Sequence, residues 1–325
     1  MTNKKQKAFI TGITGQDGSY LAEYLLGLDY EVYGIMRRHS TSENQDSRLD
    51  HISDKIETVY GDLQDQSSLE RAISRIQPDE IYNLGAQSHV RVSFDIPQFT
   101  GNTNALGVLN MLEAYRLHAP TAKFYQASSS EMFGNCVDED GFQRETTPMH
   151  PVSPYGCSKL YGYSIVRNYR KSYKLHACNG ILFNHESPRR GSNFVTSKVV
   201  KRAVEIKKGL ETGLVLGNID SHRDWGHSKD YVKAMHKIIN HETPDDFVVS
   251  TMETHSVRDM CEYVFARLGM DYRDHISQDE KFMRPEELKY LKGDSTKARE
   301  ILGWTPEYTF ETLMDDMVDS WMEKL

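Results

Sequence analysis

Short runs of β-branched and aromatic residues alternate, along the first half of the chain, with longer stretches in which apolar residues recur at three and four. The runs Lys7–Thr11, Glu31–Met36, Ile56–Tyr60, Glu80–Leu84, Lys123–Ser128 and His176–Leu182 have the length and residue types of buried strands. Between them, Ser19–Leu28, Ser67–Ile76, Asn104–Tyr115 and Ser158–Tyr173 carry helical spacing. Strand and helix alternating at this interval predict an α/β fold, a doubly wound parallel sheet with helices on both faces. After Pro188 the pattern turns to helices and loops, with a candidate return strand at Phe247–Ser250, a helix ending at Leu302–Pro306 and a terminal helix over Phe310–Lys324. The expected division is a sheet domain over residues 1–183, with a return segment around 220–252, and a smaller, mainly helical α/β domain over 184–325.

Length agrees with two lobes, because one core rarely grows beyond roughly 250–300 residues and the chain has 325. No apolar run approaches the ~20 residues of a membrane helix. The start, Met1 to Lys7 followed by the short apolar Ala8-Phe9-Ile10, lacks the look of a signal peptide, so a cytoplasmic location is expected. A formal charge of −8 argues against nucleic acid as a partner. It leaves room for a small anionic ligand held by local arginines. The four cysteines form no CxxC pair and read as reduced packing residues, and no metal site is indicated.

The first strand runs into Gly12-Ile13-Thr14-Gly15-Gln16-Asp17-Gly18, and an amphipathic helix follows. Glycines three apart at a strand-to-helix turn let the backbone approach a pyrophosphate and aim helix N-terminal amides at it, as in a Rossmann dinucleotide site. At the end of the second strand, where an NAD enzyme carries Asp or Glu for the ribose hydroxyls, stand Arg37 and Arg38. Guanidinium groups pair with a 2′-phosphate that a carboxylate repels, which points to NADP; a solvated arginine face is the alternative. Asp62 and Leu63, after the third strand, fall near the adenine. Leu84, Ala86, Gln87 and Ser88, after the fourth, pass under the cofactor, because open α/β sheets bind ligands at the carboxyl ends of their strands. Gln87 and His89 also read as ordinary loop residues.

Tyr155 and Lys159 are four apart at the start of a helix, hence on one face. A phenol of pKa near ~10 is a poor base at neutral pH, and a neighbouring cation stabilises its phenolate. The fifth strand ends in Ala127-Ser128-Ser129-Ser130-Glu131, placing a hydroxyl, Ser129, and a carboxylate, Glu131, beside this pair. An oxidoreductase of this type needs the hydroxyl, Tyr and Lys; a carboxylate adds the second acid/base group that an elimination requires. Taken alone, a Glu after a serine run reads as a solvated loop residue.

With these motifs assembled, the chain resembles the GDP-mannose 4,6-dehydratases, extended short-chain dehydrogenases, over almost its whole length. The matching stretches are Gly12 to Leu21, Ala86 to Val90, Ser129 to Glu131, Tyr155 to Lys159, Asn179 to Gly191, Arg223 to His227 with Asp230 to Val232, and Arg284-Pro285. The resemblance implies an internal redox cycle. Tyr155 deprotonates the C4 hydroxyl while hydride goes to NADP, Glu131 removes the C5 proton and assists loss of water from C6, and hydride returns to C6. It also implies that Tyr155, Lys159, His185 and Arg190 line the cofactor, and that Ser88, Ser129, Glu131, Asn184, Lys198, Arg223 and Arg284 surround a GDP-sugar. The second domain is then the sugar-nucleotide domain. Members of the family are homodimers or homotetramers, and the Arg37–Arg48 loop is similar to one that reaches a neighbouring subunit.

The chain departs from the family at three positions: Ser129 stands where Thr is usual, and Gly85 and Arg91 stand where other small residues are expected. Such changes leave a related GDP-sugar, such as a GDP-manno-heptose, as an alternative substrate. A GDP-4-keto-6-deoxymannose reductase is disfavoured by Glu131, which would have no C5 proton to remove. A non-catalytic dinucleotide-binding module is disfavoured by the presence of Tyr155, Lys159 and Glu131 together.

Overall fold

The computed structural model describes residues 4–37, 48–279, 281, 286, 288 and 290–325. In chain order the strands are β1 Lys7–Thr11, β2 Glu31–Met36, β3 Ile56–Tyr60, β4 Glu80–Asn83, β5 Lys123–Ser129, β6 His176–Leu182, β7 Asn184–Glu186, β8 Leu214–Leu216, β9 His222–Arg223, β10 Trp225–His227, β11 Asp246–Val249, β12 His255–Ser256 and β13 Ile276–Gln278. The α-helices are α1 Gln16–Gly27, α2 Gln66–Ile76, α3 Val90–Asp95, α4 Pro97–Gly101, α5 Gly107–His118, α6 Pro154–Tyr173, α7 Val195–Lys207, α8 Ser228–Asn240, α9 Val257–Arg267, α10 Thr296–Leu302 and α11 Phe310–Lys324.

Seven strands form one sheet in the order β3-β2-β1-β4-β5-β6-β11, and every pairing within it is parallel. The expected return strand thus joins the sheet at its edge, beside β6. Strand order reverses direction between β1 and β4, the switch point at which such sheets hold ligands.

Side chains alternate along each strand and feed two cores. Ala8, Ile10 and Val32 face α1 and α8, where Leu21, Leu25, Met235 and Ile239 pack. Phe9, Ile35 and Phe124 face α2, α5 and α6 through Leu69, Leu112, Val166 and Tyr169. A third core joins α7, α9 and α11 around Val200, Val264, Met314 and the indole of Trp225. Among the described residues no helix is long and apolar enough to cross a membrane.

Local chemistry sets the helix ends. Ser153 caps α6 by accepting the Gly156 amide at 3.0 Å, with Pro154 in the first turn, and Lys174 ends it in the left-handed region. One expectation needs correcting in form. The fifth helix does not begin at Asn104: residues Asn102–Leu106 make a π turn before α5 starts at Gly107. That turn sets Asn104 to hold the Gln87 backbone from both sides, its Oδ1 accepting the Gln87 amide and its Nδ2 donating to the Gln87 carbonyl, each at 2.8 Å.

Candidate active site

Two cavities meet above the switch point. The first, of about 540 Å³, is lined by Gly12, Thr14, Gly15, Gln16, Asp17, Gly18, Arg37, Asp62, Leu63, Gln87 and Arg48. The second, of about 720 Å³, collects Ser129, Glu131, Tyr155, Lys159, Asn184, His185, Lys198 and Arg223. Asp17, Leu84, Ala86, Ser88 and Arg190 line both, so the two form one groove. Every sequence-derived site residue within the described part of the chain therefore lies on this groove. Arg38 and Arg284 lie outside the described residues.

The glycine loop fits a dinucleotide phosphate. Gly15 precedes α1 with no side-chain cap, leaving the first-turn amides for an anion. Gly12 has φ of +70°, and a Cβ there would sit 2.9 Å from the Gly85 backbone, so only glycine suits a turn this close to β4. Arg37 and Arg48 supply positive charge at the far end. Arg48, which the sequence reading did not single out, donates to the Thr14 carbonyl at 3.2 Å and to the Arg189 carbonyl at 3.0 Å.

In the deeper cleft, α6 approaches the turn after β5 so closely that a Cβ on Gly156 would lie 2.8 Å from the Glu131 carbonyl oxygen. This contact sets Tyr155 beside the end of β5. Burial pushes the phenol up to about 12, opposed by a hydrogen bond from Ser129, while Glu131 adds to the rise and Arg190 counters it. Ser129 Oγ also accepts the Glu131 amide at 3.2 Å. Glu131 is itself buried.

The Lys159 ammonium lies 5.8 Å from the Tyr155 ring centre and donates to the Ala127 carbonyl at 2.8 Å, while Ser129 hydrogen-bonds the phenol. Burial lowers Lys159 to about 8. The candidate pair is thus a phenol beside a buried ammonium.

The wall opposite is built from β7 and the loop after it. His185 Nε2 faces Asp17 Oδ2 at 2.8 Å, Gln16 Nε2 donates to the His185 carbonyl at 3.1 Å, and Ser187 Oγ donates to Gln16 Oε1 at 2.8 Å. Glu186, buried and not anticipated, pairs with Arg190 Nε at 2.9 Å and accepts Thr196 Oγ1 at 2.6 Å. The Arg190 guanidinium lies 3.6 Å over the Phe194 ring. Lys198, Lys201, Arg202 and Arg223 line the outer cleft, the cation density a diphosphate needs. Arg223 Nη1 donates to the His222 and Leu288 carbonyls at 2.8 and 2.9 Å, and Lys198 Nζ donates to the Val215 carbonyl at 3.0 Å. His89, read as either a site or a loop residue, lines the cleft and also caps α3 through Nδ1. Among the described residues no group of His, Cys, Asp and Glu could hold a metal ion.

The sequence profile described as GDP-mannose 4,6 dehydratase matches residues 9–317. GDP-mannose 4,6 dehydratase 1 of Arabidopsis thaliana is 50% identical over 328 residues, spanning 97% of this chain and 90% of the relative. A GDP-mannose 4,6-dehydratase of Vibrio cholerae is 46% identical over 350 residues, spanning 97% and 93%. The crystal structure of Thermus thermophilus UDP-glucose 4-epimerase in complex with NAD superposes with a TM-score of 0.85 at 25% identity, covering 98% of this chain and 100% of that one. Similarity at this level over nearly the whole length has one reading: the chain belongs to the GDP-mannose 4,6-dehydratase family.

Proposed function

We propose that the protein converts GDP-mannose to GDP-4-keto-6-deoxymannose and water, with a nicotinamide dinucleotide, NADP, regenerated in each turnover. The observation that carries the reading is the buried carboxylate of Glu131 on the turn that also presents Ser129 to Tyr155. A carboxylate there serves elimination, which simple oxidation does not require.

When bound, NADP supplies reversible hydride acceptance, from C4 and back to C6. The chain supplies the proton chemistry. Tyr155 accepts the C4 hydroxyl proton, with Ser129 hydrogen-bonded to the same oxygen. Glu131 then takes the C5 proton, made acidic by the 4-keto group, and that proton leaves with the C6 hydroxyl as water; the proton taken from the C4 hydroxyl is returned to C5 as hydride adds at C6. Because burial holds the phenol up to about 12, proton acceptance depends on the Ser129 hydrogen bond and on the positive charge of the nearby Arg190 and Lys159. Arg37 and Arg38 favour NADP over NAD through the 2′-phosphate. Lys198, Arg223 and Arg284 serve the GDP diphosphate, and Asn184 and Ser88 the sugar.

In this reading residues 1–183 with the β10–β11 return form the NADP domain and residues 184–325 the remainder of the GDP-sugar domain. The enzyme works in the cytoplasm as a homodimer or homotetramer. The test is to incubate the purified protein with GDP-mannose and catalytic NADP, following the sugar by mass spectrometry and the nicotinamide by absorbance. Loss of one water without net NADPH is the expected result. No water loss from GDP-mannose overturns the assignment; water loss from GDP-manno-heptose in its place would keep the chemistry and move the substrate.

A further inference from the structure

Parallel strands covered on both faces are normally filled with Val, Ile and Leu. Here one level of the sheet is polar across five neighbouring strands. Thr11 lies opposite Asn83, Asn83 opposite Gln126, Gln126 opposite Asn179 and Asn179 opposite Asp246. The five are 1%, 1%, 2%, 0% and 4% exposed, so each must find partners inside the protein. They find them in one another. Thr11 Oγ1 donates to Asn83 Oδ1 at 2.7 Å, Asn83 Nδ2 to Gln126 Oε1 at 2.8 Å, and Asn179 Nδ2 to Asp246 Oδ1 at 2.7 Å.

Both ends of the inner half of this row touch the site. At one end the Gly85 amide, on the floor of the cofactor groove, donates to Thr11 Oγ1 at 2.9 Å. At the other, Gln126 Nε2 donates to the Ala127 carbonyl at 3.1 Å, the same oxygen that accepts Lys159 Nζ at 2.8 Å. We propose that Gln126 is a positioning residue for Lys159, with Asn83 and Thr11 holding its amide in the one orientation that fixes the shared Ala127 carbonyl. An amide with both its oxygen and its nitrogen engaged cannot flip, so the acceptor of the buried ammonium is set by the sheet. The same chain of bonds ties the cofactor floor at Gly85 to the lysine, and it rests on the dehydratase reading above, in which the Lys159 ammonium stands beside Tyr155.

The test replaces Thr11, Asn83 and Gln126 in two steps, first N83L/Q126L, which removes both partners of the Asn83–Gln126 bond, then with Thr11→Val added so that the Thr11 hydroxyl is not left without its Asn83 acceptor. The expected result is an unfolding midpoint near that of the unaltered protein, NADP binding weakened about tenfold, and kcat lowered about tenfold to hundredfold with the KM for GDP-mannose unchanged. Unaltered NADP affinity and kcat in folded N83L/Q126L would overturn the proposal. Gln126→Met keeps the volume and leaves Asn83 in place; it is expected to show the same losses, and unaltered values there overturn the proposal should the double variant not fold. An unaltered protein that binds NADP but leaves GDP-mannose intact sinks the dehydratase reading instead, and NADP affinity in the variants still decides the role of Gln126.

Discussion

Asp17 Oδ2 and His185 Nε2 stand 2.8 Å apart, joining the glycine loop to the wall of the sugar cleft. His185 Nδ1 faces the Phe183 carbonyl at 2.7 Å, so both ring nitrogens meet acceptors, and the ring stacks on Tyr231 at 4.5 Å. Two acceptors call for two N–H donors, which is the imidazolium. Burial opposes the charge, but Asp17 outweighs it and holds the histidine above its ordinary value of 6.5. In turn Asp17, despite its own burial, is held below 3.8 by His185. A carboxylate beside a phosphate-binding loop would repel the ligand; paired with an imidazolium it does not.

The pair makes stability depend on pH in a definite sense. A raised histidine contributes fully below its unfolded value and loses the contribution as pH rises through the folded one. A lowered carboxylate contributes above its unfolded value and loses it as pH falls. The unfolding midpoint is therefore expected to decline as pH rises above about 6.5, and His185→Gln to flatten that limb while costing about 1–3 kcal/mol at pH 6. Thermal unfolding across pH measures this; an identical slope in the variant would refute it.

In the proposed reaction Tyr155 and Glu131 act in separate halves. Tyr155→Phe is expected to lower kcat by about 10²–10⁴ with NADP affinity intact, and Glu131→Gln by a similar factor. The two should differ in what accumulates. Glu131→Gln still oxidises C4, so nicotinamide absorbance rises toward one equivalent per site with no water lost from the sugar. Tyr155→Phe shows neither. Rapid-mixing absorbance with mass spectrometry distinguishes them, and equal traces would reassign the C5 base.

Charge reversal at Arg38 tests the choice of dinucleotide. Arg38→Glu places a carboxylate where the 2′-phosphate is expected, so NADP should weaken by about tenfold or more while NAD changes little. Titration of each dinucleotide gives the ratio. Equal losses would show that Arg38 does not read the phosphate.

Much of this was legible in the chain. The bounds of β1, β2, β3 and β6, and of α11, match the sequence expectation residue for residue, because short β-branched and aromatic runs mark strands and apolar recurrence at three and four marks a helix. The candidate site residues were equally plain as a group, since each motif sits at a strand end with its helix beside it and lines one groove. What stayed hidden depends on distance in the chain or on departures from regular period. The π turn that aims Asn104 at Gln87 has no signature at helical spacing. The polar row through Asn83 and Gln126 reads as strand interior, because alternation tells which face a residue takes but not what waits there. Arg48 and Glu186 gain meaning only through the partners that folding brings to them.

Glu186 supplies the last test. Its carboxylate forms an ion pair with Arg190 at 2.9 Å and accepts the Thr196 hydroxyl, and Phe194 carries the guanidinium plane, so Arg190 is held at the junction of the two cavities. From there it counters the rise of the Tyr155 phenol. Glu186→Ala releases the guanidinium and is expected to lower kcat about tenfold and to weaken NADP, at a stability cost of about 1–3 kcal/mol. Glu186→Asp keeps the negative charge that pairs with Arg190 and should recover most of kcat. If Glu186 only braced the fold, both variants would lose stability while the folded fraction kept unaltered kcat and NADP affinity. Kinetics normalised to folded protein, alongside thermal unfolding, separate a carboxylate that aims Arg190 from one that merely fills the wall.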